Sequence, residues 1–246
     1  MCRTTPQRMC GFFIFRAMKK VSVFIDGYNL YHAINNLKKP HLKWVNLFGL
    51  AKEFARADTG FEIIRVKFFT APPIHKSPQI QQRYSIYTKA LKHCGIDVIE
   101  GKFKQKLLTY KDGDKKYFTR ISHEEKESDV NIALAILEDA FEKTSDKLLV
   151  ITNDSDISPA IRLALQKNKN LKISVITPPL IKTKHANYDL IDACGDINKN
   201  KKGQIFFKTR MITEYHLERN LLPEEIIIDN KTKIIMPKEY KNPATK

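Results

Sequence analysis

Short apolar runs rich in β-branched residues return along the chain with helical stretches between them, and this alternation limits the folds open to it. The runs are residues 21–25, 63–69, 96–99, 148–152 and 173–176. Stretches with helical patterning occupy 47–56, 79–93, 129–141 and 159–167. Strands alternating with helices imply βαβ units, right-handed crossovers and a mostly parallel sheet covered on both faces. The expected architecture is therefore α/β, layered, with a sheet of about five strands, and the alternation permits the strand order 3-2-1-4-5. In helix 129–141, Val130, Ala133, Leu134, Leu137 and Phe141 recur at helical spacing and predict the stripe that faces the sheet. Ser158, followed by Pro159, reads as the N-cap of the next helix.

Residues 102–120 break the alternation. Lysines interleave there with Phe103, Tyr110, Tyr117 and Phe118 around Asp112-Gly113-Asp114, which reads as a hairpin with a glycine-containing turn. The alternating domain is expected over 18–196, with this basic insertion inside it. Residues 197–246 read as a basic C-terminal segment packing on or trailing the domain. Residues 1–17 read as an appendage, because Met18 stands just before the first strong strand and offers itself as the initiator. The apolar run at 11–15 is too short to span a bilayer and is followed by no small-residue cleavage site.

The chain carries 43 Lys and Arg against 27 Asp and Glu, a formal charge of +16. That surplus favours a polyanionic partner, since each phosphate neutralised releases a condensed counterion. Its four cysteines are scattered with no Cys-x-x-Cys pair, which argues against both a zinc site and a disulfide framework and fits a reducing cytoplasm.

In an open parallel sheet, ligands bind beyond the carboxyl ends of the strands, where strand order reverses. Asp26 ends the first strand, and Asn153-Asp154-Ser155-Asp156 follows the fourth. If those strands are neighbours, three acids share one edge. Asp129, at the start of the helix that feeds strand four, adds a fourth. Ionised carboxylates crowded together repel unless a cation neutralises them, and hard divalent ions take oxygen ligands. The histidines show no metal-ligand spacing, and His123 reads as an exposed loop residue. Taken singly, each acid also has an ordinary explanation: Asp26-Gly27 is a common turn pair, Asp129 suits a helix N-terminus, and Asn29 could cap the helix containing Tyr31.

At these residues the chain resembles the NYN-domain family, also called LabA-like, within the PIN-like nuclease superfamily. The matching stretches are Val23-Phe24-Ile25-Asp26-Gly27-Tyr28-Asn29-Leu30-Tyr31, then Glu125-Lys126-Glu127-Ser128-Asp129-Val130-Asn131-Ile132-Ala133, then Ile151-Thr152-Asn153-Asp154-Ser155-Asp156-Ile157. The resemblance implies a Rossmann-like three-layer PIN-type fold and RNA hydrolysis dependent on Mg²⁺ or Mn²⁺. It implies Asp26, Asp129, Asp154 and Asp156 as metal ligands and Asn29 as the accompanying polar residue. One departure stands out: the family often reads Lys-Gly-Ser-Asp where this chain has Lys126-Glu127-Ser128-Asp129.

The function expected is a cytoplasmic ribonuclease that leaves 5′-phosphate and 3′-hydroxyl ends, with single-stranded RNA as partner and no membrane association. Lys104, Lys106, Lys115, Lys116, Tyr117, Lys126 and Ser155 are the candidate RNA contacts, lysines for phosphate and aromatic faces for bases. Two alternatives stay open: a non-catalytic RNA-binding or regulatory module, and a small-molecule phosphohydrolase. The latter usually has an Asp-x-Asp motif after the first strand, where this chain has Asp26-Gly27-Tyr28-Asn29.

Overall fold

The computed structural model describes residues 18–56, 60–111, 117–180, 187–195, 197–199, 205–207 and 210–242. In chain order the elements begin β1 (Lys19–Asp26), α1 (Gly27–Asn36), α2 (Leu47–Arg56), β2 (Phe61–Thr70), α3 (Pro78–His93) and β3 (Asp97–Glu100). A hairpin of β4 (Lys102–Lys111) and β5 (Tyr117–Lys126) follows. Then come α4 (Ser128–Glu142), β6 (Lys147–Ile151), α5 (Ser158–Lys167), β7 (Lys172–Thr177) and α6 (Tyr188–Cys194). The remainder comprises β8 (Ile197–Lys199), β9 (Ile205–Phe207), β10 (Arg210–Met211), α7 (Glu214–Arg219), β11 (Glu225–Ile227) and β12 (Lys233–Ile235).

The central sheet has six strands in the order β3-β2-β1-β6-β7-β10, and every pair in it is parallel. The five expected strands take the expected order. The sixth, β10, adds only Arg210 and Met211 beside Ile176 and Thr177. Two residues carry no periodicity, so nothing in the sequence marks them as a strand.

Both faces of the sheet are covered, which explains why β1 and β6 read as unbroken apolar runs. Val21, Val23 and Ile25 point into a core shared with Leu30, Ile34, Leu47 and Leu50. Phe24, Leu148 and Val150 point into the other, with Ile132, Ile136, Ile161 and Leu190. A third cluster, around Trp44, Ala90, Leu222, Ile226 and Ile234, packs the C-terminal hairpin β11–β12 near α3. The Trp44 indole donates to the Pro223 carbonyl at 3.0 Å, tying that segment down.

Helix α4 corrects the expected stripe. Its buried face is Ile132, Ala135, Ile136 and Ala140, whereas Val130, Leu134 and Phe141 are 57–59% exposed. Two helical-period stripes coexist on this helix, and the one with the larger residues lies outside. Helix α5 differs too: Ser158 lies inside the helix, its hydroxyl buried and without a hydrogen-bond partner among the described residues. The preceding 3₁₀ turn, Ser155–Ile157, is capped instead by Asp154.

Gly27 opens α1 directly rather than forming a tight turn. A Cβ there would lie 2.5 Å from the Phe69 carbonyl and 2.6 Å from the Phe68 ring, so glycine lets α1 start against the end of β2. The reassigned face of α4 is open to test by denaturant titration. Ile136→Ala should cost about 2–5 kcal/mol of stability, and Leu134→Ala should change it by less than about 0.5 kcal/mol. The opposite ranking would restore the stripe expected from sequence.

Candidate metal and active site

The site grows out of the parallel pairing of β1 with β6. Ile25 sits beside Ile151 in register, so the next residues, Asp26 and Thr152, meet at the carboxyl edge. Asp26 is 3% exposed and serves as the N-cap of α1. One carboxylate oxygen accepts from the Asn29 amide at 2.9 Å and the other from the Thr152 hydroxyl at 2.8 Å. That hydroxyl also accepts from the Asp154 amide at 3.0 Å. The Asn29 side-chain carbonyl accepts from the Asn153 amide at 3.0 Å, so the first turn of α1 and the loop after β6 are tied together. Asn29 is therefore a tie between segments and not the helix cap.

Asp26, Asn29, Asp129 and Asp154 line one cavity of about 350 Å³, closed on another side by Lys106, Ser122, Glu125 and Lys126 of the hairpin. Asp156 is exposed and outside this lining, although its charge reaches Asp129. Its amide donates to the capping Asp154 carboxylate at 3.0 Å. Ser155 stands in the 3₁₀ turn, also outside the lining, as does Lys104 on β4. Lys115, Lys116 and the side chain of Tyr117 lie outside the described residues.

Glu125 is the site residue that sequence reading overlooked. The acids at 124–127 look like favourable charges before a helix, yet 124–126 belong to β5, paired with Lys102, Phe103 and Lys104. Ten-residue strands on each side of the turn were the available signal. Ser128 donates its hydroxyl to the Glu125 carboxylate. His123 is likewise a strand residue rather than a loop residue, its ring stacked on His75 at 4.3 Å. Glu127 has a left-handed backbone, φ 81°, at the start of α4. Glycine adopts that conformation without strain, which explains the Gly of the family pattern. The Glu127 side chain is exposed, pairs with Lys102 and stays out of the cavity lining.

Burial, reinforced by the charges of Asp129 and Asp154, raises Asp26 from 3.8 to about 6. Burial and the charges of Asp26 and Asp129 raise Glu125 to about 7. Asp129 is raised by burial and by its aspartate neighbours. Burial is the largest cause of each shift and mutual repulsion of the carboxylates adds to it, so a cation among them would favour their charged forms. The donor set is all hard oxygen, which fits Mg²⁺ or Mn²⁺. Among the described residues, no three Asp, Glu, His or Cys side chains form a group that could hold a metal ion together. The residues therefore suit an ion that keeps several waters and takes one or two carboxylates, as Mg²⁺ does.

The raised Asp26 fixes the sign of a pH effect. Between about 4 and about 6 the folded state holds a proton that the unfolded chain releases, so this group contributes stability at low pH that is lost as pH rises. Asp26→Asn removes the titration. In EDTA the variant should gain on wild type by roughly 2–3 kcal/mol between pH 4 and pH 7.5, read from urea unfolding. A stability gap that stays constant with pH would show that Asp26 is not so strained.

A family model for the NYN domain matches residues 20–198. A curated relative, 6-hydroxy-3-succinoylpyridine 3-monooxygenase HspA of Pseudomonas putida, is 29% identical over 201 residues. The aligned region is 70% of this chain, and the chain spans 64% of that relative's length. A crystal structure of a protein of unknown function from Vibrio parahaemolyticus is similar with a TM-score of 0.48 and 18% identity, over 84% of this chain and 98% of that one. The family match takes in Asp26, Asn29, Asp129 and Asp154 together, and the chain belongs to the NYN domain family, a member of the PIN-like nuclease superfamily.

Proposed function

We propose that the protein is a metal-dependent ribonuclease acting on single-stranded RNA at the cavity of Asp26, Asp129 and Asp154. The observation that carries this reading is the meeting of three aspartates from three separate segments in one cavity at the carboxyl edge of the sheet. Asp26, Asp129 and Asp154 would face the cation, one or two of them as direct ligands and the rest through its waters, with Glu125 in the same lining and Asp156 supporting through the turn at Asp154. When bound, Mg²⁺ or Mn²⁺ supplies water of lowered pKa and offsets the charge of the phosphodiester under attack.

The other residues have separable tasks. Lys106 and Lys126 line the cavity and offer positive charge to a phosphate. Asn29 keeps the loop after β6 in place, which fixes Asp154 relative to Asp26. Glu125 lines the same cavity from β5 and is the candidate donor of a proton to a leaving 3′-oxygen. Attack of water on phosphorus with departure of that oxygen yields the 5′-phosphate and 3′-hydroxyl ends expected. On the hairpin, Tyr110 and Phe118 are exposed and directly opposed across the strands, available as stacking faces, with Lys104 farther along the strand of Tyr110. Among the described residues no helix is long and apolar enough to cross a membrane.

The name of the Pseudomonas relative supports a second reading, oxygenation of a small heteroaromatic acid. The feature of this chain that favours it is a second, aromatic-lined cavity next to the carboxylates. Product formation from 6-hydroxy-3-succinoylpyridine with molecular oxygen and a two-electron reductant would establish it.

Cleavage of labelled single-stranded RNA separates the readings. Wild type should cut with Mg²⁺ or Mn²⁺ and stop in EDTA, and Asp154→Asn should lose activity by about 100-fold or more, since the substitution keeps the shape but removes the charge that a hard cation needs. Equal cleavage by both proteins would assign the activity elsewhere. RNA binding without cleavage under either ion would favour a non-catalytic module.

A further inference from the structure

A cavity of about 600 Å³ adjoins the carboxylate site and has no part in the hydrolysis described above. Tyr28 and His123 line both spaces, so the two are neighbours sharing a wall. Its lining is largely apolar and aromatic, within the size range of small-ligand sites. Tyr28 and Tyr31, one helical turn apart on α1, both line it and are each 46% exposed. Facing them is a ready-made row of rings. His75 stacks on His123 at 4.3 Å with 10° between planes, and Phe103 meets His75 edge-on at 4.4 Å.

Two further features point to what such a space would hold. The His75 Nδ1 is buried with no hydrogen-bond partner among the described residues, a polar atom left for a ligand to satisfy. Lys43, Lys76 and Arg83 bring positive charge to the same lining. Lys43 lies 4.8 Å from the centre of the Tyr31 ring, and Arg83 is paired with Glu239 at 2.6 Å. Burial first, then Lys43 and Lys76 around His32, and His123 and Lys76 around His75, lowers both histidines and disfavours their charged forms.

We infer that this cavity receives one planar heteroaromatic ring carrying an anionic group, occupied by an unpaired nucleobase of the strand whose phosphate lies at the carboxylates. This rests on the nuclease reading, and it adds a requirement that the carboxylates alone do not impose. The base stacks among Tyr31, His75 and Phe103 while its own phosphates meet the lysines. Cleavage would then favour flexible single strands, because a paired base cannot turn out of its stack without losing its partner.

The test is binding in EDTA, where no cleavage occurs. A labelled hexauridylate is compared by fluorescence anisotropy with a hexamer of equal charge whose residues are abasic. Wild type should bind the base-bearing strand roughly tenfold or more tightly. Tyr31→Ala and Phe103→Ala, each checked for an unchanged thermal midpoint, should each erase most of that preference. Equal affinity for the two strands, or a preference intact in both variants, overturns the inference. A parallel titration with nicotinate, a pyridine carboxylate, separates the sources of the ring. Tyr31-dependent binding of nicotinate with no base preference in the strand would make the occupant a free small acid and overturn the nucleobase assignment. Base-dependent binding without cleavage in Mg²⁺ or Mn²⁺ would count against the nuclease reading alone, and cleavage without base dependence against the cavity alone.

Discussion

Everything in the candidate site depends on β1 and β6 lying side by side in parallel. That adjacency brings Asp26 against Thr152, whose hydroxyl bonds both the Asp26 carboxylate and the Asp154 amide. One threonine therefore sets the separation of two acids that are 128 residues apart in numbering. The cost is a buried carboxylate at the junction, raised to about 6 by burial first and by neighbouring charge second. Folds retain such strained groups where function requires them, and a divalent cation is the natural source of relief.

The hairpin β4–β5 turns an open sheet edge into an enclosed site. It leaves the sheet after β3 and returns just before α4, carrying Lys106, Ser122, Glu125 and Lys126 over the aspartates. The return is tight, and the chain makes it through a left-handed residue at Glu127. A glutamate in that conformation costs on the order of 1–2 kcal/mol relative to glycine. Its side chain pairs outward with Lys102, so it adds no charge to the cavity.

Much of this was readable from sequence because parallel strands buried on both faces leave a strong local signal. The five main strands and the strand-end positions of Asp26 and Asp154 followed from apolar runs and turn residues, whereas the order 3-2-1-4-5 was one that the alternation permits. What stayed hidden depended on tertiary context. Helix α4 carries two apolar stripes, and only the packed sheet decides that Ile132 and Ile136 go inside while Leu134 and Phe141 stay out. Glu125 looked like a helix-dipole charge because strand β5 runs longer than its aromatic segment implies. The cavity between α1 and α3 draws on residues from Gly27 to Tyr240 and has no linear motif at all.

The central claim is that Asp26, Asp129 and Asp154 act as one cation-dependent unit. Titration of Mn²⁺ followed by electron paramagnetic resonance tests it without reference to any substrate. The account predicts saturable binding by wild type, weakened about tenfold or more in each of Asp26→Asn, Asp129→Asn and Asp154→Asn, and unchanged in Asp189→Asn, whose exposed side chain lies on α6 away from the cavity lining. Saturable binding that survives all three substitutions, or none in the wild type, would contradict it.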